Sequence, residues 1–149
     1  MRYSKLTIIS FFLFQSIITG CNSNKNSENW DLENTRNIDV SDANYLKAID
    51  DAKKNLPTFF EFLKHKQINK FNFYIKSKYS EGERIEHLWF VVDSVKGRNL
   101  ICILDNVPLN LKSIKLNDTL AINTKEIEDW IVYKQDSIVA GNYLARIIQ

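Results

Sequence analysis

The rhythm of apolar and polar positions changes three times along the chain. Residues 6–18 are almost uniformly apolar, residues 22–40 show no period, residues 45–63 repeat apolar positions every three or four, and from residue 71 the period drops to two. In the third stretch Tyr45, Ile49, Ala52, Leu56, Phe59 and Leu63 form one stripe, with Lys47, Asp50, Asp51, Lys53 and Lys54 opposite, which predicts an amphipathic helix. Ser41 or Asp42 stands where an N-cap belongs. Pro57 predicts a kink or a split into two short helices, the proline falling in the first turn of the second. The aromatic run Phe59, Phe60 and Phe62 reads as core rather than as a ligand platform.

Beyond His65, Phe71, Phe73 and Ile75 alternate with Lys70, Asn72, Tyr74 and Lys76, the pattern of a half-buried strand. A loop over residues 80–83 leads to strands over 86–95 and 99–104, joined across Lys96-Gly97 as a hairpin. Short strands are expected at 114–116 and 119–122. Asn123 with Glu126 resembles a capping box opening one helical turn. A last hairpin joins residues 130–133 to 137–139, and residues 143–148 form a strand or short helix. The resulting fold class is α+β: an N-terminal amphipathic helix, kinked or split near Pro57, on a curled antiparallel sheet or partial barrel of about five to seven short strands. Residues 41–149 suffice for a core without staples.

The first twenty residues read as an address. Arg2 and Lys5 precede thirteen largely apolar residues, too few for the roughly 20 of a spanning helix and suited to a cleaved signal peptide. Ile18-Thr19-Gly20-Cys21 resembles the lipobox of bacterial lipoproteins, with Ile18 where Leu is usual. The resemblance implies cleavage before Cys21, acylation of its thiol (palmitate among the chains) and anchoring by two or more lipid chains, which hold stably where one would not. Residues 21–40 are an Asn-rich tether whose root-mean-square span is about 25 Å. Asn22 in place of Asp leans towards the outer membrane over the inner. The domain then sits in the periplasm or at the cell surface.

Charge and composition remove several function classes. The net charge of +2 comes from Arg2 and Lys5, so the chain after Cys21 is neutral and has no field to gather nucleic acid. Two cysteines exclude a disulfide scaffold, and four glycines argue against phosphate-cradling loops. No cofactor is implied. His65 and His87 lack the spacing of a metal pair, so no metal site is expected. Cys102, between Leu100 and Leu104, reads as a buried hydrophobe.

His87 is the one candidate for chemistry. Alternation puts it on one strand face with Trp89 and Val91, away from Leu88, Phe90 and Val92. It is either a proton-transfer group served by Glu83 or Glu86, or an imidazole hydrogen-bonded across the sheet. A second constellation, Asp129, Trp130, Asn142, Tyr143 and Arg146, holds residue types favoured at binding hot spots. Its structural alternative is a corner with Trp130 in the core and Arg146 paired with Asp129.

Over residues 45–148 the chain resembles the bacterial family of domain of unknown function 2314, also called YegJ-like. The resemblance rests on Ala48, Ile49, Ala52, Leu56 and Pro57, on Glu86-His87-Leu88-Trp89-Phe90, on Leu104, Asn106 and Pro108, and on Ile127-Glu128-Asp129-Trp130 with Gly141-Asn142-Tyr143 and Arg146. It implies a fold and carries no activity. The leading expectation is therefore a non-catalytic, lipid-anchored envelope protein binding another protein or an envelope component. The alternatives are an envelope hydrolase using His87, and an immunity or inhibitor-type protein.

Overall fold

The computed structural model describes residues 40–66 and 70–147. Helix α1 spans Ala43–Lys54 and α2 spans Leu56–Lys64. Asp42 caps α1, its carboxylate accepting from the amides of Asn44 at 2.6 Å and Tyr45 at 3.3 Å. Asn55 separates the helices, donating from its side chain to the Asp51 carbonyl at 2.9 Å, and Pro57 lies in the first turn of α2. The expected split at Pro57 is thus present. The stripe faces inward: Tyr45, Ala48, Ala52 and Phe59 are buried. Lys47–Asp51 and Lys54–Asp50 pair on the exposed side.

Six antiparallel strands follow: β1 (Phe71–Glu81), β2 (Arg84–Lys96), β3 (Asn99–Leu104), β4 (Thr119–Asn123), β5 (Ile127–Lys134) and β6 (Ser137–Gly141). Their order in the sheet is β4-β3-β2-β1-β5-β6. The sheet is open, with β4 and β6 as its edges. It is nevertheless bent. In a flat sheet β4 and β5 would lie four strand spacings, about 19 Å, apart. Only Thr124–Glu126 joins them, a 3-10 turn capped by the Asn123 side chain, and the step from Asn123 to Ile127 reaches at most about 14 Å. The Ser77 hydroxyl donates to the Glu126 carbonyl at 3.0 Å and ties this turn to β1.

Three sequence expectations change. Residues 114–116 are not a strand, because the carboxylates of two neighbours take up the loop's backbone: Glu86 accepts from the amides of Leu109, Asn110 and Leu111, and Glu81 from those of Lys112 and Ser113. Leu111 and Ile114 then plug the core from this loop. The β2–β3 turn is Gly97-Arg98, since Lys96 still pairs with Asn99. The loop expected over residues 80–83 is only the turn Gly82-Glu83, since Ser80 pairs with Ile85 and Glu81 with Arg84. Of the two forms expected for residues 143–148, Ala145–Ile147 takes the short helical one, a 3-10 turn.

The core lies between the helices and one sheet face. Phe59 of α2 meets Phe73 edge-on at 5.5 Å and Trp130 at 5.6 Å, and Phe90, Val92, Leu100, Cys102, Leu104 and Val132 are buried around them. Burial pushes the Cys102 thiol up to about 12. Peptide mapping after maleimide treatment at pH 8 should find Cys102 unmodified in the native chain and modified in urea. Native labelling would show a core that opens.

Among the described residues no helix is long and apolar enough to cross a membrane. The expected signal peptide, Cys21 and the tether to residue 39 lie outside the described residues.

Candidate functional site

The sheet face turned away from the core is built by alternation. Partners directly opposite one another share a face. Val91, Tyr74 and Ile131 form one row across β2, β1 and β5; Trp89, Lys76 and Asp129 form the next; His87 and Lys78 follow. Tyr74, Trp89, Val91, Ile101, Ile103 and Tyr133 are half-exposed there. The rings of Tyr74 and Tyr133 meet edge-on at 5.5 Å.

An irregularity in β5 supplies the feature that alternation alone would not place. Pairing steps from Lys76–Asp129 directly to Ser77–Ile127, so Glu128 is an extra residue without a partner in β1. Such a bulge re-aims a side chain. Here His87 Nδ1 donates to Glu128 Oε2 at 2.6 Å. The ring of Tyr45, brought by α1, meets the imidazole edge-on at 6.5 Å. Burial pushes the Tyr45 phenol up to about 12, helped by the charges of Glu128 and Asp129. The Lys76 ammonium lies 5.8 Å from the Trp89 ring centroid, close enough for a cation–π contact. Its pKa is lowered by burial, against the pull of Glu128 and Asp129.

The carboxylate serving His87 is therefore Glu128, not Glu83 or Glu86. Glu86 is occupied by the loop amides, and Glu83 sits exposed in the β1–β2 turn. An imidazole held at Nδ1 keeps Nε2 for a proton or a ligand. Neither Cys102, on the core face, nor Ser77, whose hydroxyl is bonded to Glu126, serves it as a nucleophile. Among the described residues no cluster of His, Cys, Asp and Glu is arranged to hold a metal ion.

The second constellation splits between core and rim. Trp130 is buried, its indole N–H donating to the Ala52 carbonyl at 2.9 Å. Asp129 is also fully buried. It accepts from the amides of Trp130 at 2.7 Å, Tyr143 at 3.1 Å and Leu144 at 2.9 Å. Burial raises its pKa, and those three amides oppose the shift. Gly141 and Asn142 both adopt positive φ, 86° and 64°, and the Asn142 amide donates to the Trp130 carbonyl at 2.8 Å. Arg146 does not pair with Asp129. It donates to the Gly141 carbonyl at 2.9 Å and lies 5.0 Å from the Tyr143 ring centroid. This is a structural corner that clamps the C-terminal turn. Tyr143 and Arg146 also line an open concavity with α1, which His87 does not reach.

The family model for an uncharacterized protein conserved in bacteria (DUF2314) matches residues 42–149. The chain belongs to this family. The match begins at the cap of α1 and takes in both helices, all six strands and the corner, so the DUF2314 domain is the whole folded unit described above. Neither a curated protein nor a solved structure matches the chain.

Proposed function

We propose that this protein is lipid-anchored in the cell envelope and that its DUF2314 domain is a non-catalytic binding module. The observation that carries the reading is the sheet face around Trp89, where Tyr74, Val91, Ile101, Ile103 and Tyr133 are half-exposed on strands whose other face holds the Phe59 core. Large aromatic and aliphatic side chains on rigid strands are what a partner buries at the centre of an interface. The anchor rests on the sequence: Arg2 and Lys5, the short apolar run and Ile18-Thr19-Gly20-Cys21.

Cross-linking the full lipidated protein in cells, followed by mass spectrometry of the membrane fraction, is expected to yield one dominant partner. Trp89→Ala should weaken that complex by about 30-fold, the effect of losing about 2 kcal/mol at a hot spot. Recovery of nothing above background would remove the binding reading.

The His87–Glu128 pair favours a second reading, an envelope hydrolase in which Glu128 orients the imidazole as a general base. A His87→Ala variant that folds and retains full function in cells would eliminate it.

A further inference from the structure

The loop over residues 105–118 combines an apolar tip with a backbone whose donors are already satisfied. Leu111 and Ile114 fix it in the core, while Val107 is 67% and Leu109 61% exposed, the highest values among the large apolar side chains described. Ile85, next to Glu86 at the start of β2, is 49% exposed. An exposed loop ordinarily leaves many of its amides to water. Here Pro108 has no N–H, the amides of Leu109, Asn110 and Leu111 donate to Glu86, and those of Lys112 and Ser113 donate to Glu81. The stretch 108–113 can therefore leave water without stranding a donor. The tip also lies at the end of the domain where the chain enters. Residue 40 leads into α1, whose Tyr45 ring meets His87, and the neighbouring Glu86 holds the loop.

We infer that Val107 and Leu109, with Ile85, enter the headgroup interface of the bilayer that holds Cys21, so that the domain lies against the lipid surface in one orientation. The inference rests on the lipid-anchor reading above and adds a second membrane contact to it. Arg84, Lys112 and Lys115 flank the tip but are offset by Glu83, Asp105 and Asp118. The contact is therefore apolar and needs no anionic lipid. A few partly inserted side chains bind weakly alone, and a tether that ends at the same side of the domain supplies the effective concentration that makes so small a contact persist. Three side chains also fall far short of the roughly 20–30 residues that a stable protein interface enlists on one side.

The test attaches an environment-sensitive fluorophore through Asn110→Cys in the full lipidated chain, reconstituted in vesicles of phosphatidylethanolamine and phosphatidylglycerol. Lys96→Cys, at the far end of β2, serves as the reference. Both positions are exposed and Cys102 is buried, so the substitutions spare the fold and the label goes where it is sent. The expected result is blue-shifted emission at position 110 and quenching by brominated acyl chains about fivefold stronger there than at position 96. Val107→Asp combined with Leu109→Asp, both exposed in the native fold, should abolish that difference. Equal quenching at the two positions, or indifference to the double substitution, overturns the inference; intact mass showing lipid on Cys21 leaves the anchor reading standing in that case. A chain that carries no lipid on Cys21 removes the anchor reading and the inference with it. A blue shift that appears only in native membrane vesicles, and never in pure lipid, assigns the tip to a protein and overturns the lipid contact.

Discussion

Replacing Asp129 by Ala is expected to destabilise the domain by about 4 kcal/mol or more. Its carboxylate is fully buried and accepts from three backbone amides, those of Trp130, Tyr143 and Leu144. Truncation leaves three donors without partners, and each buried unsatisfied group costs about 1–3 kcal/mol. Urea unfolding followed by tryptophan fluorescence measures the loss; a midpoint within error of wild type would mean that the corner re-forms without its acceptor. The pH dependence has a definite sign. Burial raises the folded-state pKa of Asp129 above its unfolded value, so the native state holds the proton longer than the unfolded chain. The contribution of this group to stability is therefore greatest below the ordinary carboxylate range and falls as pH rises towards the raised value. Asp129→Asn should abolish that slope.

Gly141→Ala should be comparably severe, for a different reason. Gly141 has φ +86°, and an added Cβ would sit 2.0 Å from the Trp130 carbonyl oxygen and 2.7 Å from the Trp130 ring. Neither can retreat: the carbonyl accepts from the Asn142 amide, and the ring is packed against Phe59 and Tyr143. Backbone strain and overpacking together are expected to cost about 4 kcal/mol. Gly97→Ala is the internal control. Its φ is +63° but the space around it is open, so only the conformational penalty of about 1 kcal/mol applies. Equal melting temperatures for the two variants would show that contact with Trp130 is not what reserves position 141 for glycine.

Local rules carried the sequence reading a long way. The helix stripe, the break at Pro57, the Asp42 cap, the β1 alternation and the Asn123 turn all depend on residues within a few positions of one another, and all are present. What escaped depends on register between distant strands. His87 and Glu128 are 41 positions apart, and they meet only because β5 carries one residue more than β1 opposite it. No periodicity announces a bulge. The neighbours Glu83 and Glu86 were nearer in sequence, yet Glu86 faces the loop after β3. The corner was legible in composition but not in wiring. Asp129 and Arg146 invite pairing by charge, whereas the buried carboxylate is satisfied by three amides that become available only because Gly141 and Asn142 turn the chain through positive φ.

The position of β5 also governs when the domain can form. Strands β1 to β4 follow one another as a meander, each pairing with its predecessor, and can assemble as soon as they are made. The helices precede them by only a few residues but have no complete docking surface until β5 arrives, because Trp130 supplies both the indole bonded to Ala52, 78 positions upstream, and a wall of the Phe59 cluster. Closing so long a loop is slow relative to hairpin formation. A nascent chain therefore carries an exposed α1–α2 stripe from the time α2 is made until β5 follows it. The domain is thus a core completed from its C-terminal end.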